Sequence, residues 1–355
     1  MNYKEYSKIV GITAHGIMDF YSRGPWYYYH RHILKDIKSD FHIEGKDLLG
    51  SAADCLLTSP EEFNETFEVL NMKAIGGKTG EVIIKLSRHD FTERGLEFQD
   101  LPDEDIQRYC IEAEIAGGVK WFRSKVTSDS KYQEFYDKLV RLNTHGDKKI
   151  ITSEIFEQAK AIEIQVLSDP IIGKYFSRNN EEFKTYYQVP VFFDYKGLQC
   201  KQLLDLVIVP FDGRSFVISD LKTTSKGIFN YEDTIIHQKL YLQGGFYSLP
   251  HIRRLRIKTP EKALQDLWDD KKAYLQDFIY LAVDSAGYEQ PNEYSLGGLG
   301  SAQITQILEG GVLKTGEKTP GIDAILEEMR WHYDNQLWEH TREYYENKQS
   351  KLSIF

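Results

Sequence analysis

Two carboxylates and a lysine stand inside short apolar runs. Asp205 lies within Leu203 to Val209 (LLDLVIV), Asp220 within Phe216 to Leu221 (FVISDL), and Lys222 follows Asp220 after one residue. A carboxylate among aliphatic side chains is costly to bury unless it is paired or bound to a cation. Two of them beside a lysine make a place for a hard divalent metal. Magnesium takes oxygen ligands, a few carboxylates with water and phosphate filling the rest, and the Leu221 carbonyl adds one more oxygen. A metal held this way lowers the pKa of bound water and polarises a phosphoryl oxygen. Lys222 would orient that water or offset charge in the transition state. The chemistry these residues suit is attack of water on a phosphoryl group.

The elements that must position them are legible. Asp212-Gly213 between the two runs is a hairpin signal. Both runs are short and rich in β-branched residues, so they read as buried antiparallel strands. Side chains alternate along a strand, so Asp220 and Lys222 point the same way and Leu221 points into the core. Tyr231 to Ser248 reads as one helix, with Gln243 and Tyr247 four residues apart on one face. A lone Asp-x-Lys arises readily by chance. The preceding Asp strand, the hairpin, the triplet ending the second strand and the Gln/Tyr helix are informative together.

This arrangement resembles the PD-(D/E)xK nuclease superfamily, with Asp205 at its first acidic position and Asp220-Leu221-Lys222 at its D/E-x-K. The Gln-x-x-x-Tyr that follows resembles the RecB-like branch, and the wording DLKTT, then HQKLYLQGGFY, looks most like the RecE, or exodeoxyribonuclease VIII, type of phages and prophages. Two more stretches share the likeness. Gly11 to Leu34 resembles the RecE-type opening of a short helix, a break and an aromatic helix. Thr13 is its expected N-cap. The first helix should stop near Ser22, before Gly24-Pro25, and Pro25 should open the second. Aromatic rings there, interleaved with Arg31 and histidines, suit either base stacking and phosphate contact or packing on the core. Lys46 to Pro60 reads as a helix with an apolar stripe and resembles the family segment that carries a metal-site histidine. Asp54 occupies that place, and Asp can also ligate a hard cation. Gln188, on the strand Tyr186 to Tyr195, stands where many RecB-like members have Glu; it reads as a polar strand residue without a direct role.

The resemblance implies an α/β fold with a restriction-endonuclease-like core, a small mixed and mostly antiparallel sheet flanked by helices, with a large helical elaboration. One domain is expected over residues 1–355: a mainly helical part to 180 with a cleft-forming helix at 46–58, the catalytic sheet and helix at 181–285, and closing helices at 286–355. It implies Mg2+ (or Mn2+) held by Asp205, Asp220, the Leu221 carbonyl and Asp54, with Lys222, Gln243 and Tyr247 completing the catalytic set. On the RecE pattern the substrate is linear duplex DNA, the partner a single-strand annealing protein, and the enzyme a ring-forming oligomer. The rivals are an endonuclease of the same superfamily and a catalytically silent binding module on the same fold.

The remaining sequence bounds these expectations. A chain of 355 residues can bury a large core. No apolar run is long enough for a membrane span, and the amino terminus has no signal-peptide core, so a cytoplasmic protein is expected. Three scattered cysteines, Cys55, Cys110 and Cys200, read as buried thiols and cannot supply a four-cysteine iron–sulfur cluster. A net charge of −10 argues against a non-specific DNA coat, while a local basic channel remains compatible with it. His251 to Lys258 (HIRRLRIK) is the densest basic cluster, read as a strand with Arg254, Arg256 and Lys258 on one face, which suits either a phosphate track, extended by Lys271 and Lys272, or a solvated charged face. Gly77-Lys78-Thr79 lacks the first glycine of a P-loop and reads as a basic turn, so no nucleotide is expected. Gln276 to Asp284 reads as a strand across the catalytic helix, with closing helices at Ser301 to Leu308 and Ile322 to Tyr345. Lys351 to Phe355 (KLSIF) resembles a sliding-clamp-binding peptide with Lys where Gln is usual.

Overall fold

The computed structural model describes residues 3–37, 46–72, 75–87, 96–143, 148–178, 180–270 and 272–347. The chain divides into two compact units, one of residues 1–38 with 165–355 and one of residues 39–164.

The first unit opens with α1 (Tyr3–Lys8) and α2 (Ala14–Tyr28). Thr13 caps α2, its hydroxyl accepting the Gly16 N–H at 3.1 Å. Gly24 has φ 87° and ψ 172°, which breaks the helix in two just before Pro25. Only glycine adopts that geometry freely, so the expected stop and restart are both present. Ile12, just before the helix, forms a parallel bridge with Cys200.

The inserted unit is mainly helical: α3 (Lys46–Thr58), β1 (Phe67–Leu70), α4 (Gly77–Leu86), α5 (Asp103–Glu112), α6 (Gly118–Ser128), α7 (Ser130–Asn143) and β2 (Lys149–Thr152). β1 and β2 pair in parallel. Its own core includes Val82, Ile83, Phe98, Phe122 and Phe135. Asp103, Glu104 and Asp105 fill the first turn of α5, complementing the positive end of the helix. The Gly77-Lys78-Thr79 stretch is not a turn but the start of α4, and Lys78 is tied to Glu114, donating to its carbonyl at 3.1 Å.

α8 (Ser153–Ser168) leads into the sheet of the first unit: β3 (Phe183–Tyr195), β4 (Leu198–Pro210), β5 (Ser215–Thr224), β6 (Ile257–Lys258), β7 (Tyr274–Asp284) and β8 (Asn292–Gly297), in the order β6-β3-β4-β5-β7-β8. Only β5 and β7 pair in parallel; the other neighbours are antiparallel. The α/β class, a mixed and mostly antiparallel sheet flanked by helices, is as expected.

Three expectations need correction. The stretch after β5 is two helices, α9 (Tyr231–His237) and α10 (Leu240–Ile252), because Lys239 takes a left-handed φ of 57°. β7 does not lie across α10 but pairs directly with β5, the helices forming the crossover that parallel neighbours require. The basic cluster is not one strand. α10 runs through Ile252 and ends with Leu255 N–H on the Pro250 carbonyl at 2.8 Å and Arg254 left-handed at φ 50°, a helix C-terminal motif. Only Ile257–Lys258 is extended, so Arg254, Arg256 and Lys258 do not share a strand face.

α11 (Lys262–Asp269), α12 (Ala302–Glu309), α13 (Gly321–Asn335) and α14 (Arg342–Asn347) complete the unit. Every residue from Leu240 to Pro250 is buried. Gly244 and Gly245 permit this: a Cβ on Gly244 would overlap Leu296 of β8 and come within 2.9 Å of Phe278 of β7, and one on Gly245 would overlap Ile307 of α12.

Candidate active site

The site grows out of a place where two strands part. β4 and β5 pair through Ile208↔Val217, Val207↔Ile218 and Leu206↔Ser219. The next residues in register are Asp205 and Asp220, and there the ladder stops while β5 continues along β7. The Leu221 N–H on the β4 side then donates to Asp205 Oδ2 at 3.1 Å. A side-chain carboxylate replaces the carbonyl that a continued ladder would have offered, as a buried N–H requires.

Asp220 is 1% exposed. Its Oδ2 forms an ion pair with Lys222, and its Oδ1 accepts from Gln243 Nε2 at 2.9 Å. The same amide donates to the Tyr247 hydroxyl at 3.2 Å. Gln243 thus holds the carboxylate with one end of its amide and leans on the tyrosine beside it. The phenol of Tyr247 is pushed well above its ordinary pKa, first by burial and then by the Asp220 and Asp205 charges. Tyr280, the β7 partner of Asp220, is shifted upward first by burial and then by the Asp220 charge, and Tyr231 of α9 likewise. Three neutral phenols therefore surround the buried carboxylate.

The expected residues Asp205, Asp220, Leu221, Lys222, Gln243 and Tyr247 come together here. Asp54 lies on α3 of the inserted unit, its Oδ1 enclosed. Arg31 Nη1 donates to the Ile37 carbonyl at 2.9 Å. In the aromatic stretch, Tyr28 is buried and Tyr29 stacks on Trp338 at 5.3 Å, while Trp26 is exposed and lies against His30 at 4.2 Å. Arg254, Arg256 and Lys258 are all exposed. Lys271 and the tail Lys351 to Phe355 lie outside the described residues.

Two residues enter that sequence reasoning assigned no role here. His15, in the first turn of α2, is accessible to solvent yet crowded by protein. Desolvation lowers its pKa and the Lys222 ammonium adds to that, against the opposing pull of Asp220 and Asp19. Asp19, one turn on, accepts from His32 Nε2 at 2.8 Å, His32 lying beyond the end of α2. Gln188 is the second. It interrupts the β3–β4 ladder at the register position of Asp205, between Tyr187↔Leu206 and Val189↔Leu204, with φ 47°. A left-handed side-chain residue in mid-strand is strained backbone, which concentrates at functional sites.

The residues that come together here are compatible with a hard divalent cation such as Mg2+ or Mn2+. The oxygens that would hold a cation are the Asp205 and Asp220 carboxylates and the Leu221 carbonyl, the ligand type Mg2+ takes. Among the described residues no three His, Cys, Asp or Glu side chains converge to hold a metal by themselves. Lys222 places its positive charge on Asp220 Oδ2, where a cation would sit. Cys55, Cys110 and Cys200 are free thiols; burial raises Cys55 and Cys200 to about 12.

No protein-family model matches the chain, and no curated protein matches it. Among solved structures, the crystal structure of a protein named "Putative exonuclease" from Eubacterium rectale aligns over 99% of this chain and 94% of that one, with a TM-score of 0.45 and 12% identity. No described helix is long and apolar enough to cross a membrane.

Proposed function

We propose that the protein is a Mg2+-dependent deoxyribonuclease of the PD-(D/E)xK type, acting as an exonuclease on linear duplex DNA. The observation that carries this reading is the juxtaposition of Asp205 and Asp220 where β4 and β5 part, with Lys222 on Asp220. A divalent cation there supplies a polarised phosphoryl oxygen and water of lowered pKa. Asp205, Asp220 and the Leu221 carbonyl would hold it. Lys222 leaves Asp220 for the attacking water or the phosphate. Gln243 keeps Asp220 Oδ1 in place, and Tyr247 keeps Gln243 in place. On the RecE resemblance the enzyme resects one strand from the 5′ end in phage-type recombination, beside a single-strand annealing protein, and Asp54 stands at the sequence position of a family histidine.

The test is degradation of end-labelled linear and closed circular DNA, in Mg2+ and in EDTA, with Lys222→Ala and Asp54→Ala proteins alongside. The expected result is metal-dependent loss of linear DNA alone, with Lys222→Ala slower by about 10²-fold to 10³-fold, the scale of losing one charge-stabilising group. Cutting of the circle would replace the exonuclease with an endonuclease. No cutting of either, in Mg2+ or Mn2+, would favour the binding module, which the Asp54 and Gln188 departures motivate.

A further inference from the structure

α10 carries Gln243 and Tyr247, and it contains a proline. In an uninterrupted helix the Phe246 carbonyl would accept from the N–H of residue 250, but Pro250 has none. Gln202 of β4 fills the gap. It is 1% exposed, and its Nε2 donates to the Phe246 carbonyl at 2.6 Å. The bond joins the residue preceding Tyr247 to the strand that carries Asp205. Helix and strand therefore meet at a polar tie in an otherwise apolar interface, three residues from Gln243. The other end of Gln202, Oε1, has no protein hydrogen-bond partner among the described residues. An apolar side chain in place of Gln202 would leave the Phe246 carbonyl buried without a donor, so the bond also contributes to stability, and the test must separate that contribution from positioning.

We infer that Gln202 is a positioning residue for the site: by taking the Phe246 carbonyl that Pro250 leaves without a helical donor, it sets the position of α10 so that Gln243 reaches both Asp220 and Tyr247. The inference rests on the nuclease reading for its catalytic consequence, though not for its geometry. Non-directional packing lets a buried helix slide and turn by fractions of an ångström, whereas one hydrogen bond to a fixed backbone oxygen sets both register and rotation. The Asp220–Gln243 bond, at 2.9 Å, is lost with a small rotation of α10.

Pro250 gives the test its internal control. Pro250→Ala returns a backbone N–H to the Phe246 carbonyl, so it makes Gln202 dispensable. Four proteins are compared: wild type, Gln202→Leu, Pro250→Ala and the double variant. Two readouts are taken, cleavage kinetics on linear DNA and the side-chain amide resonance of Gln243 in glutamine-labelled protein, assigned with Gln243→Leu. Gln202→Leu is expected to lower kcat about tenfold with KM within about twofold, and to move the Gln243 resonance. The double variant is expected to return to within about threefold of Pro250→Ala, with the resonance restored. A Gln243 resonance unmoved by Gln202→Leu would overturn the inference, as would a double variant no better than Gln202→Leu. Should wild type cut no DNA, the nuclease reading fails, and the resonance and its rescue alone decide the positioning role.

Discussion

Asp220 has a cation on one oxygen and an amide on the other, inside a shell of neutral phenols. Removing its charge while keeping its shape separates metal binding from packing. Asp220→Asn should abolish Mn2+ binding measured by calorimetry, and with it cleavage. His15 makes a different case. It neighbours Lys222 and Asp220 yet belongs to an accessible helix turn. His15→Ala should slow cleavage by about 10²-fold, the lower end for a group that moves or holds a proton, and leave the melting temperature within a degree or two. A matched loss of stability would mark His15 as packing only. The Asp220-Leu221-Lys222 triplet was legible in the sequence because strand periodicity is local and a buried carboxylate is conspicuous. His15 was not, because its approach to β5 depends on the bridge between Ile12 and Cys200, a contact far apart in the chain. Gln188 was read as a bystander because left-handed backbone in mid-strand leaves no mark on residue type.

At the scale of elements, α10 explains why this part of the sequence is so apolar. It is buried along its length, and glycines face two of its neighbours. Gly244→Val should destabilise the protein by roughly 1–3 kcal/mol or more through overpacking against Phe278 and Leu296, read as a lowered urea midpoint with an unchanged m-value. The same helix carries His251 between Phe216 and Trp268, at ring distances of 4.9 and 5.0 Å. Burial pushes its pKa down to about 3 from 6.5. The folded protein keeps this imidazole neutral, while the unfolded chain protonates it below about pH 6.5. Its contribution is therefore full above that pH and is lost as pH falls towards 3. His251→Phe should remove up to one proton from the pH dependence of unfolding in that window, about 1.4 kcal/mol per pH unit. The hairpin strands and α10 were visible in the sequence through hairpin chemistry and apolar runs. The break at Lys239 was not, because a lysine carries no signal for a left-handed turn. The tie of Lys239 to Ser22 Oγ at 3.3 Å is a tertiary fact.

At the scale of the molecule, each unit has its own hydrophobic core. A separate core is what independent folding needs. Residues 39–164 produced alone should melt cooperatively with helical circular dichroism, and the full chain should unfold in more than one transition. The sheet and its helices were foreseeable from pattern, but the division was not, because its second boundary falls within α8 (Ser153–Ser168) and not in a linker. The bridge between Ile12 and Cys200 also has a consequence in time. At about 5–20 residues per second, a ribosome needs on the order of 10–40 s to travel from one to the other. Throughout that interval α2 has emerged and its sheet has not. The inserted unit, complete in sequence by then, can close on itself in the meantime. The nascent chain thus holds an orphaned apolar helix face, with Ile17, Phe20 and Tyr28, waiting for strands still to be made. Holding chaperones should meet this protein at its amino end, and a slow codon stretch between residues 165 and 200 should lower its yield more than the same stretch placed after residue 300.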